Sequence, residues 1–140
     1  MPEPLPEEVV QMFGAPNFAY LATLMPDGSP QVSPVWVDVA DGYLRVNTAE
    51  GRTKPRNVRG DPRVAISVLD QKRPYSWAQV RGRVVDVRRQ GALEHINQLS
   101  RNYLGIDYPL PEGMERVILV IEPDHVSYAI RRRPGRQDDG

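Results

Sequence analysis

The sequence predicts a mainly β fold, a small antiparallel barrel with peripheral helices. About six runs rich in β-branched and aromatic residues are separated by turns that contain glycine or proline. Only one strong helical pattern interrupts these runs, and it comes late in the chain. A chain of 140 residues is long enough for one hydrophobic core but not for two. We therefore expect one domain over residues 1–130 and a flexible tail over residues 131–140, which lack apolar side chains.

The first half of the chain predicts a short helix and a three-strand meander. Asp27-Gly28 between two strand-like runs is a hairpin signal, and Asp41-Gly42 makes a second turn. Pro34 interrupts the second run, so we expect a sheet edge or a bulge at that point. The predicted elements of this half are a helix over residues 6–13 and strands over residues 18–25, 31–39 and 43–48.

The second half predicts long strands around one amphipathic helix. Pro55 suits the first turn of a short helix, with Thr53 as its candidate cap. Gly82 near the middle of a long strand indicates a bend or a bulge. Apolar residues at helical spacing predict the later helix, over residues 91–104: Leu93, Ile96, Leu99 and Tyr103. The predicted strands are residues 63–70, residues 76–89, and a strand pair or one bent strand over residues 115–130.

Composition excludes or disfavours several kinds of site. The chain has no cysteine, which excludes disulfides and thiolate chemistry and makes a reducing cytoplasm the expected location. The histidines show no metal-ligand spacing; we expect His95 at the surface or core edge and His125 in a structural role. No apolar run approaches the length of a membrane span, and the acidic start MPEPLPEE differs from a signal peptide. Acidic residues follow the run Arg131–Arg133, which disfavours nucleic-acid binding.

The familiar motifs of nucleotide-binding and hydrolytic sites are missing. The sequence contains neither GxGxxG nor GxxxxGK[ST], and neither GxSxG nor HExxH. Its carboxylates form no convincing pair for acid–base work. If the protein is an enzyme, we therefore expect a bound cofactor to supply the reactive atom.

Residues 47–64, NTAEGRTKPRNVRGDPRV, concentrate positive charge in a chain whose formal net charge is zero. Only Glu50 and Asp61 oppose five cations, which are Arg52, Lys54, Arg56, Arg59 and Arg63. The free N–H groups of a helix N-terminus beside Arg52 and Lys54 suit a phosphate. The alternative is that these cations are solvated and that the helix only joins two strands.

Two tryptophans offer planar surfaces. On one interpretation the proline-broken strand Pro34-Val35-Trp36 presents an aromatic wall to a planar ligand; on the other, Trp36 packs under the last helix or at a subunit interface. Trp77 and Gln79 share one side of the fifth strand and form either an aromatic platform or part of the barrel packing. The residues alone leave both choices open.

Three segments carry a family resemblance: LATLxxDGxPQVxPVWV, NTAEGRxKxRNxxxDPRVAxSV and VRGRV. The chain resembles the pyridoxamine-phosphate-oxidase-like split β-barrel superfamily over roughly residues 15–128. Within it, the chain is most similar to the flavin/deazaflavin oxidoreductases that use coenzyme F420. The resemblance implies a six-stranded split barrel that works as a homodimer, with two cofactor sites at the subunit interface.

The resemblance also implies which residues bind the cofactor. The residues implied to border the ring are Ser33, Pro34, Val35, Trp36, Asn47, Thr48 and Ala49. Those implied to hold the phosphate are Arg52, Lys54 and Asn57. Trp77 and Gln79 are implied to border the cofactor, in some members from the partner subunit.

F420 and FMN are the alternative cofactors, and the charge pattern favours F420. F420 adds a lactyl-oligoglutamate tail to the ring, ribityl chain and phosphate, and its negative charges need a cationic groove. The cations of residues 52–63, with Arg131–Arg133, suit this longer anion. The segment HVSYAIRRRPG lacks the tryptophan of pyridoxamine phosphate oxidases proper, which disfavours vitamin B6 oxidation.

The implied activity is hydride transfer from reduced F420 to an electron-poor small molecule, such as an enone, a quinone or a tetrapyrrole-derived alkene. No catalytic side chain is identified; the completing proton comes from solvent or from a tyrosine such as Tyr103 or Tyr108. The alternatives are an FMN-binding oxidoreductase of the same fold and a carrier protein that binds F420 without a substrate of its own.

Overall fold

The computed structural model describes residues 2–109 and 113–131. Its helices are α1 (Glu7–Gly14), α2 (Thr53–Gly60) and α3 (Ala92–Leu104). Its strands are β1 (Ala19–Leu24), β2 (Pro30–Val35), β3 (Asp38–Ala40), β4 (Tyr43–Ala49), β5 (Arg63–Leu69), β6 (Trp77–Arg88) and β7 (Arg116–Ala129). Most of the predicted tail lies outside the described residues, as do Arg132 and Arg133. No described helix is long and apolar enough to cross a bilayer.

The strands form one antiparallel sheet in the order β2-β1-β5-β6-β7-β4-β3. Its two edge strands, β2 and β3, are separated in the chain only by Trp36 and Val37. Three residue steps span at most about 11 Å, so the two edges of the sheet must curl towards each other. They do so without pairing, and the result is the predicted split β-barrel.

The predicted meander is wrong in one respect, because its middle strand is broken. β2 pairs with β1, whereas β3 pairs with β4 on the opposite edge of the sheet. This break raises the strand count to seven from the expected six. Pro34 lies within β2, opposite Tyr20, and the sheet tolerates it because β2 is an edge strand.

β6 and β7 form the long central pair of the barrel. Their register shifts between Arg81 and Gly82 and again between Val84 and Asp86. A Cβ on residue 82 would collide with the carbonyl oxygen of Glu122, so the close approach of the two backbones requires glycine. The predicted bend at Gly82 is therefore confirmed, and the segment after residue 115 is one bent strand.

Two packing layers enclose the sheet. The main core fills the barrel interior, and Val9 and Phe13 of α1 are fully buried against it. A smaller cluster of Ala92, Ile118 and Val120 lies between α3 and the outer face of the sheet. Burial of each large aliphatic side chain stabilises the fold by roughly 1.5–3 kcal/mol.

The buried face of α3 differs from the predicted stripe. Leu93 is 54% exposed, whereas His95 is only 2% exposed and packs inward with Ile96 and Leu99. The expectation that His95 lies at the surface or core edge is therefore wrong. The polar ring is buried because hydrogen-bond partners on β3 and β4 satisfy it.

α2 begins without the predicted cap. Arg52 occupies the N-cap position, and Thr53 is the first helical residue, with no side-chain capping hydrogen bond. Pro55 lies in the first turn, as predicted. The amide groups of this turn are consequently not satisfied by a capping side chain.

Candidate functional site

An open cleft of about 270 Å³ lies where the junction between β2 and β3 meets the end of β4, the start of α2 and the middle of α3. Twelve residues line it: Phe18, Pro34, Val35, Trp36, Asn47, Thr48, Arg52, Lys54, Ile96, Leu99, Tyr108 and Arg116. Three of them are cations and none is a carboxylate. The cleft therefore combines apolar and aromatic walls with an excess of positive charge.

Contacts divide the basic cluster into two groups. Arg59 pairs with Glu50 at 2.7 Å and Arg63 with Asp61 at 2.7 Å, so both carboxylates of the segment are used. In the described part of the chain, Arg52, Lys54 and Arg56 make no ion pair. Arg56 is exposed and does not line the cleft, whereas Arg52 and Lys54 do, so the unneutralised charge of these two faces a potential ligand.

Lys54 is half-buried, and its Nζ donates to the hydroxyl of Ser33 at 3.3 Å. This hydrogen bond connects α2 to β2 and directs the ammonium group along the cleft. Burial lowers the pKa of Lys54, and the positive charge of Arg52 lowers it further. An anion bound between the two cations would relieve both effects.

Trp36 forms an aromatic wall that is also packed against α3. Its ring stacks on Tyr103 at 5.3 Å between centroids and meets the edge of Tyr108 at 6.0 Å. The structure thus shows both predicted arrangements at once, because Trp36 packs on α3 and still lines the cleft. The stacking restricts its side-chain rotation.

The hydroxyl of Tyr103 serves the fold. It donates to the carbonyl of Asn17 at 2.7 Å and accepts from the buried N–H of Val37 at 3.2 Å. Burial raises the pKa of Tyr103, an effect that the hydrogen bond at Val37 opposes. Of the two tyrosines considered as proton sources, only Tyr108 lines the cleft.

A buried polar chain connects the cleft to the edge strand β3. Arg116 Nε donates to Asn47 Oδ1 at 2.8 Å, and Asn47 Nδ2 lies 3.1 Å from His95 Nδ1. His95 Nε2 lies 3.1 Å from Asp38 Oδ1, and Arg45 clamps that carboxylate with two hydrogen bonds. Because the Asn47 amide donates to Nδ1, the proton of a neutral His95 ring sits on Nε2 and is donated to Asp38. Each member thereby fixes the orientation of the next.

Asp38 remains ionised within this series of hydrogen-bonded side chains. Burial raises the pKa of its carboxyl group, but hydrogen bonds from His95 and Arg45 outweigh burial and hold it below its ordinary value. Asp38 neutralises Arg45 at the far end, and no acidic side chain neutralises Arg116 at the cleft end among the described ion pairs.

Two residues that line the cleft have buried polar atoms without a hydrogen-bond partner. These atoms are Thr48 Oγ1 and Arg116 Nη1. Three further atoms of this kind in the described residues, on Asn57, Ser100 and Asp124, lie outside the cleft, so the two in the cleft support a ligand site only together with its charge and shape. Sequence reasoning missed Arg116, because one arginine among 16 gives no signal and its partner Asn47 is 69 positions away.

The structure brings most of the predicted site residues together. Seven of them line the cleft: Pro34, Val35, Trp36, Asn47, Thr48, Arg52 and Lys54. Ser33 adjoins it through its bond to Lys54, and Ala49 accepts a backbone hydrogen bond from Arg52. Five residues of the cleft were not among the predicted cofactor-binding residues, although Tyr108 was considered as a proton source: Phe18, Ile96, Leu99, Tyr108 and Arg116.

Three predicted residues lie outside this cleft. Asn57 is buried and donates to Thr23 and Met25, which ties α2 to β1. Trp77 and Gln79 lie on β6, between β5 and β7 in the sheet. The implied approach of these two residues from a partner subunit remains a prediction.

Comparison with known proteins agrees with this architecture. A family model described as pyridoxamine 5'-phosphate oxidase matches residues 5–129. An F420 reductase of known structure is 33% identical, with a TM-score of 0.78 over 88% of this chain and 98% of that one. A conserved hypothetical protein from Mycobacterium tuberculosis is 23% identical, with a TM-score of 0.76 over 97% of this chain and 93% of that one.

An FAD-binding protein from Mesorhizobium loti is also similar, with 23% identity and a TM-score of 0.64 over 89% of this chain and 94% of that one. This likeness and the mycobacterial one show the fold alone. The family model, by contrast, spans nearly all of the sheet and its helices. On that match, and on a split barrel with the expected order of elements, the chain belongs to the pyridoxamine 5'-phosphate oxidase family.

Proposed function

We propose that the protein is an F420-dependent oxidoreductase, which transfers a hydride from reduced deazaflavin to an electron-poor small molecule. The observation that carries this proposal is the pair Arg52 and Lys54, which line the cleft beside the uncapped start of α2 and form no ion pair within residues 2–109 and 113–131. An F420 reductase that is 33% identical over 88% of the chain supports the choice of cofactor.

The residues of the cleft suit an anionic, planar cofactor. Arg52 and Lys54 would hold its phosphate, and Ser33 would keep Lys54 in position. Trp36, fixed by its stacking on Tyr103, would lie against the ring. The partnerless hydroxyl of Thr48 offers a further hydrogen bond.

The chemistry is divided between cofactor and protein. Reduced F420 supplies the hydride from C5 of its deazaflavin ring. The protein contributes orientation: the Trp36 wall restricts the face on which an acceptor lies, and proximity lowers the barrier. Tyr103 is engaged by backbone groups, so Tyr108 or solvent would provide the completing proton.

A homodimer is the second part of the proposal. Tyr20 is 48% exposed and Val32 is 63% exposed, and both lie on the outer face of the sheet. The strand register places Gln79 opposite Ser67, which in turn lies opposite Tyr20, so Gln79 shares this face. A partner that covered the apolar residues would also cover Gln79 and its neighbour Trp77, as the family resemblance implies.

Titration of the purified protein with F420 and with FMN tests the cofactor. We expect saturable F420 binding that is tighter than FMN binding, followed by oxidation of reduced F420 when an enone or quinone is added. Tighter binding of FMN would instead favour an FMN-dependent oxidoreductase. Tight F420 binding without turnover across the acceptor panel would favour a carrier.

A further inference from the structure

Arg116 is a buried cation that has no anionic partner among the residues the structure describes. It is 7% exposed, its Nε is bonded to Asn47, and its Nη1 has no hydrogen-bond partner. No ion pair within residues 2–109 and 113–131 includes it. A guanidinium stays charged at neutral pH, so the cost of burying it persists until an anion compensates the charge.

The nearby aromatic ring compensates this cost only in part. The Arg116 guanidinium carbon lies 5.5 Å from the centroid of Tyr108. A cation–π contact recovers less free energy than the burial of an unpaired charge costs. Burial accordingly lowers the pKa of Arg116, Tyr108 opposes this effect, and the charge of Arg52 adds to it.

The guanidinium is also held in a fixed orientation. Asn47 donates to the carbonyl of Ala92 at 2.9 Å and to His95, which leaves its amide oxygen directed at Arg116. His95 is fixed in turn by Asp38. Asn47 and His95 are positioning residues, and a guanidinium whose one hydrogen-bond partner is itself fixed is suited to recognise a ligand without rearrangement.

Arg116 enters the cleft from β7, whereas Arg52 and Lys54 enter it from the start of α2. We propose that Arg116 is a second anion-binding group, which binds an anionic or electron-rich oxygen of the ligand other than its phosphate. The proposal rests on the proposed function for the assignment of the phosphate to Arg52 and Lys54. The oxygen belongs either to the cofactor or to the acceptor, and the experiment below distinguishes these sources.

The first arm measures affinity for F420 and for its phosphate-free fragment, which retains the ring and ribityl chain. If the oxygen belongs to the cofactor, Arg116→Gln lowers the affinity for both ligands on the order of tenfold or more. Lys54→Ala weakens F420 only, because the fragment lacks the phosphate. Arg116→Lys, which retains the charge, recovers part of the loss.

The second arm measures steady-state kinetics with the acceptor. If the oxygen belongs to the acceptor, Arg116→Gln leaves both cofactor affinities unchanged and raises the KM of the acceptor on the order of tenfold. The proposal is overturned if neither affinity nor KM changes. It is also overturned if Arg116→Gln weakens only ligands that carry the phosphate, since Arg116 would then belong to the phosphate site.

A third arm separates this inference from the proposed function. If the wild-type protein binds neither F420 nor FMN, the proposed function fails, and benzoate, a planar carboxylate without phosphate, then tests the anion site directly. We expect sodium benzoate to raise the unfolding temperature above that in NaCl of equal ionic strength. Arg116→Gln loses most of this rise, and the exposed Arg56→Gln control keeps it; an equal rise in Arg116→Gln overturns the inference.

A folding control accompanies every arm. If Arg116→Gln does not fold, Arg116→Met replaces it, because an apolar side chain of similar length suits a buried position. Circular dichroism and the unfolding temperature without ligand establish that each variant is folded. The same expected and contradicting outcomes apply to the methionine variant.

Discussion

Lys54 is partly buried and has no carboxylate partner in the described part of the chain, so its charge responds to whatever occupies the cleft. A neighbouring cation and desolvation both disfavour its ammonium form. Arg59 and Arg63 differ from it, because each is already neutralised by a carboxylate. At the scale of single residues, function at the start of α2 therefore depends on which cations lack a partner more than on how many are present.

Removal of the Lys54 charge should weaken cofactor binding, whereas removal of a neighbouring charge outside the cleft should not. We expect Lys54→Ala to cost on the order of 1–3 kcal/mol of F420 binding free energy, because a charge-assisted hydrogen bond is lost. Arg56→Ala is the matched control, since Arg56 lies on the same helix, is exposed and does not line the cleft. Fluorescence titration measures both; equal losses in the two variants would contradict a specific role for Lys54.

The depressed pKa of Lys54 also predicts a pH dependence. A bound phosphate favours the ammonium form and raises the pKa of Lys54 relative to the free protein. Affinity is therefore fully present below the pKa of the free protein and declines as pH rises through it. Titrations at increasing alkaline pH measure the decline. Lys54→Arg should flatten it, because a guanidinium stays charged over that range; an unchanged profile in this variant would assign the decline to another group.

At the scale of elements, α3 is attached to the barrel by specific polar bonds as well as by apolar packing. Tyr103 contacts the backbone of Asn17 and that of Val37. Val37 lies in the two-residue link between β2 and β3. The hydroxyl therefore connects α3 to the point where the sheet crosses from one edge to the other. The same link carries Trp36, so this tie also positions the aromatic wall of the cleft.

Tyr103→Phe should destabilise the fold by about 1–3 kcal/mol, because it leaves the buried N–H of Val37 without a partner. Stacking on Trp36 persists, since the ring remains. Urea unfolding provides the measurement, and Tyr75→Phe on an exposed side chain is the control. A stability change no larger than that of the control would show that water replaces the hydroxyl.

Local sequence signals account for most elements but not for their long-range partners. The Asp27-Gly28 and Asp41-Gly42 turns, the first turn of α2 with Pro55 and the bend at Gly82 follow from local backbone preferences. The break at Trp36-Val37 does not, because it depends on which strands lie at the edges of the sheet. His95 was misplaced for a related reason: Asp38, which satisfies its ring, is 57 positions away.

At the scale of the whole molecule, some residues of the candidate site follow from local sequence motifs and others depend on long-range contacts. Two of the three family motifs lie in β1–β2 and from the end of β4 into β5, and they contributed seven residues of the cleft; the third, VRGRV, lies in β6 and contributed none. α3 and β7 contributed Ile96, Leu99 and Arg116, which no local motif marks. A site assembled from segments so far apart in the chain becomes visible only when the sheet order is known.

At the same scale, the outer face of β1, β2 and β6 carries exposed apolar side chains that a partner could cover. Tyr20 and Val32 expose apolar surface on the same face as Gln79, from which Ser67 of β5 separates Tyr20, and a single chain leaves this face open to solvent. Isolated exposed apolar residues are ordinary, but a contiguous set on one sheet face indicates an interface. We therefore expect a dimer in which this face is covered.

Charge placed on that face should separate the protomers. We expect the double variant Tyr20→Glu, Val32→Glu to shift the molar mass from dimer towards monomer, because a carboxylate buried at an interface costs more than the apolar contact it replaces. Light scattering after size exclusion measures the mass at several concentrations. Leu93→Glu, an exposed position on α3, is the matched control and should remain dimeric. If the double variant keeps the dimer mass, the interface lies elsewhere; if the wild-type chain is monomeric, each cleft must bind its ligand without Trp77 and Gln79 of a partner.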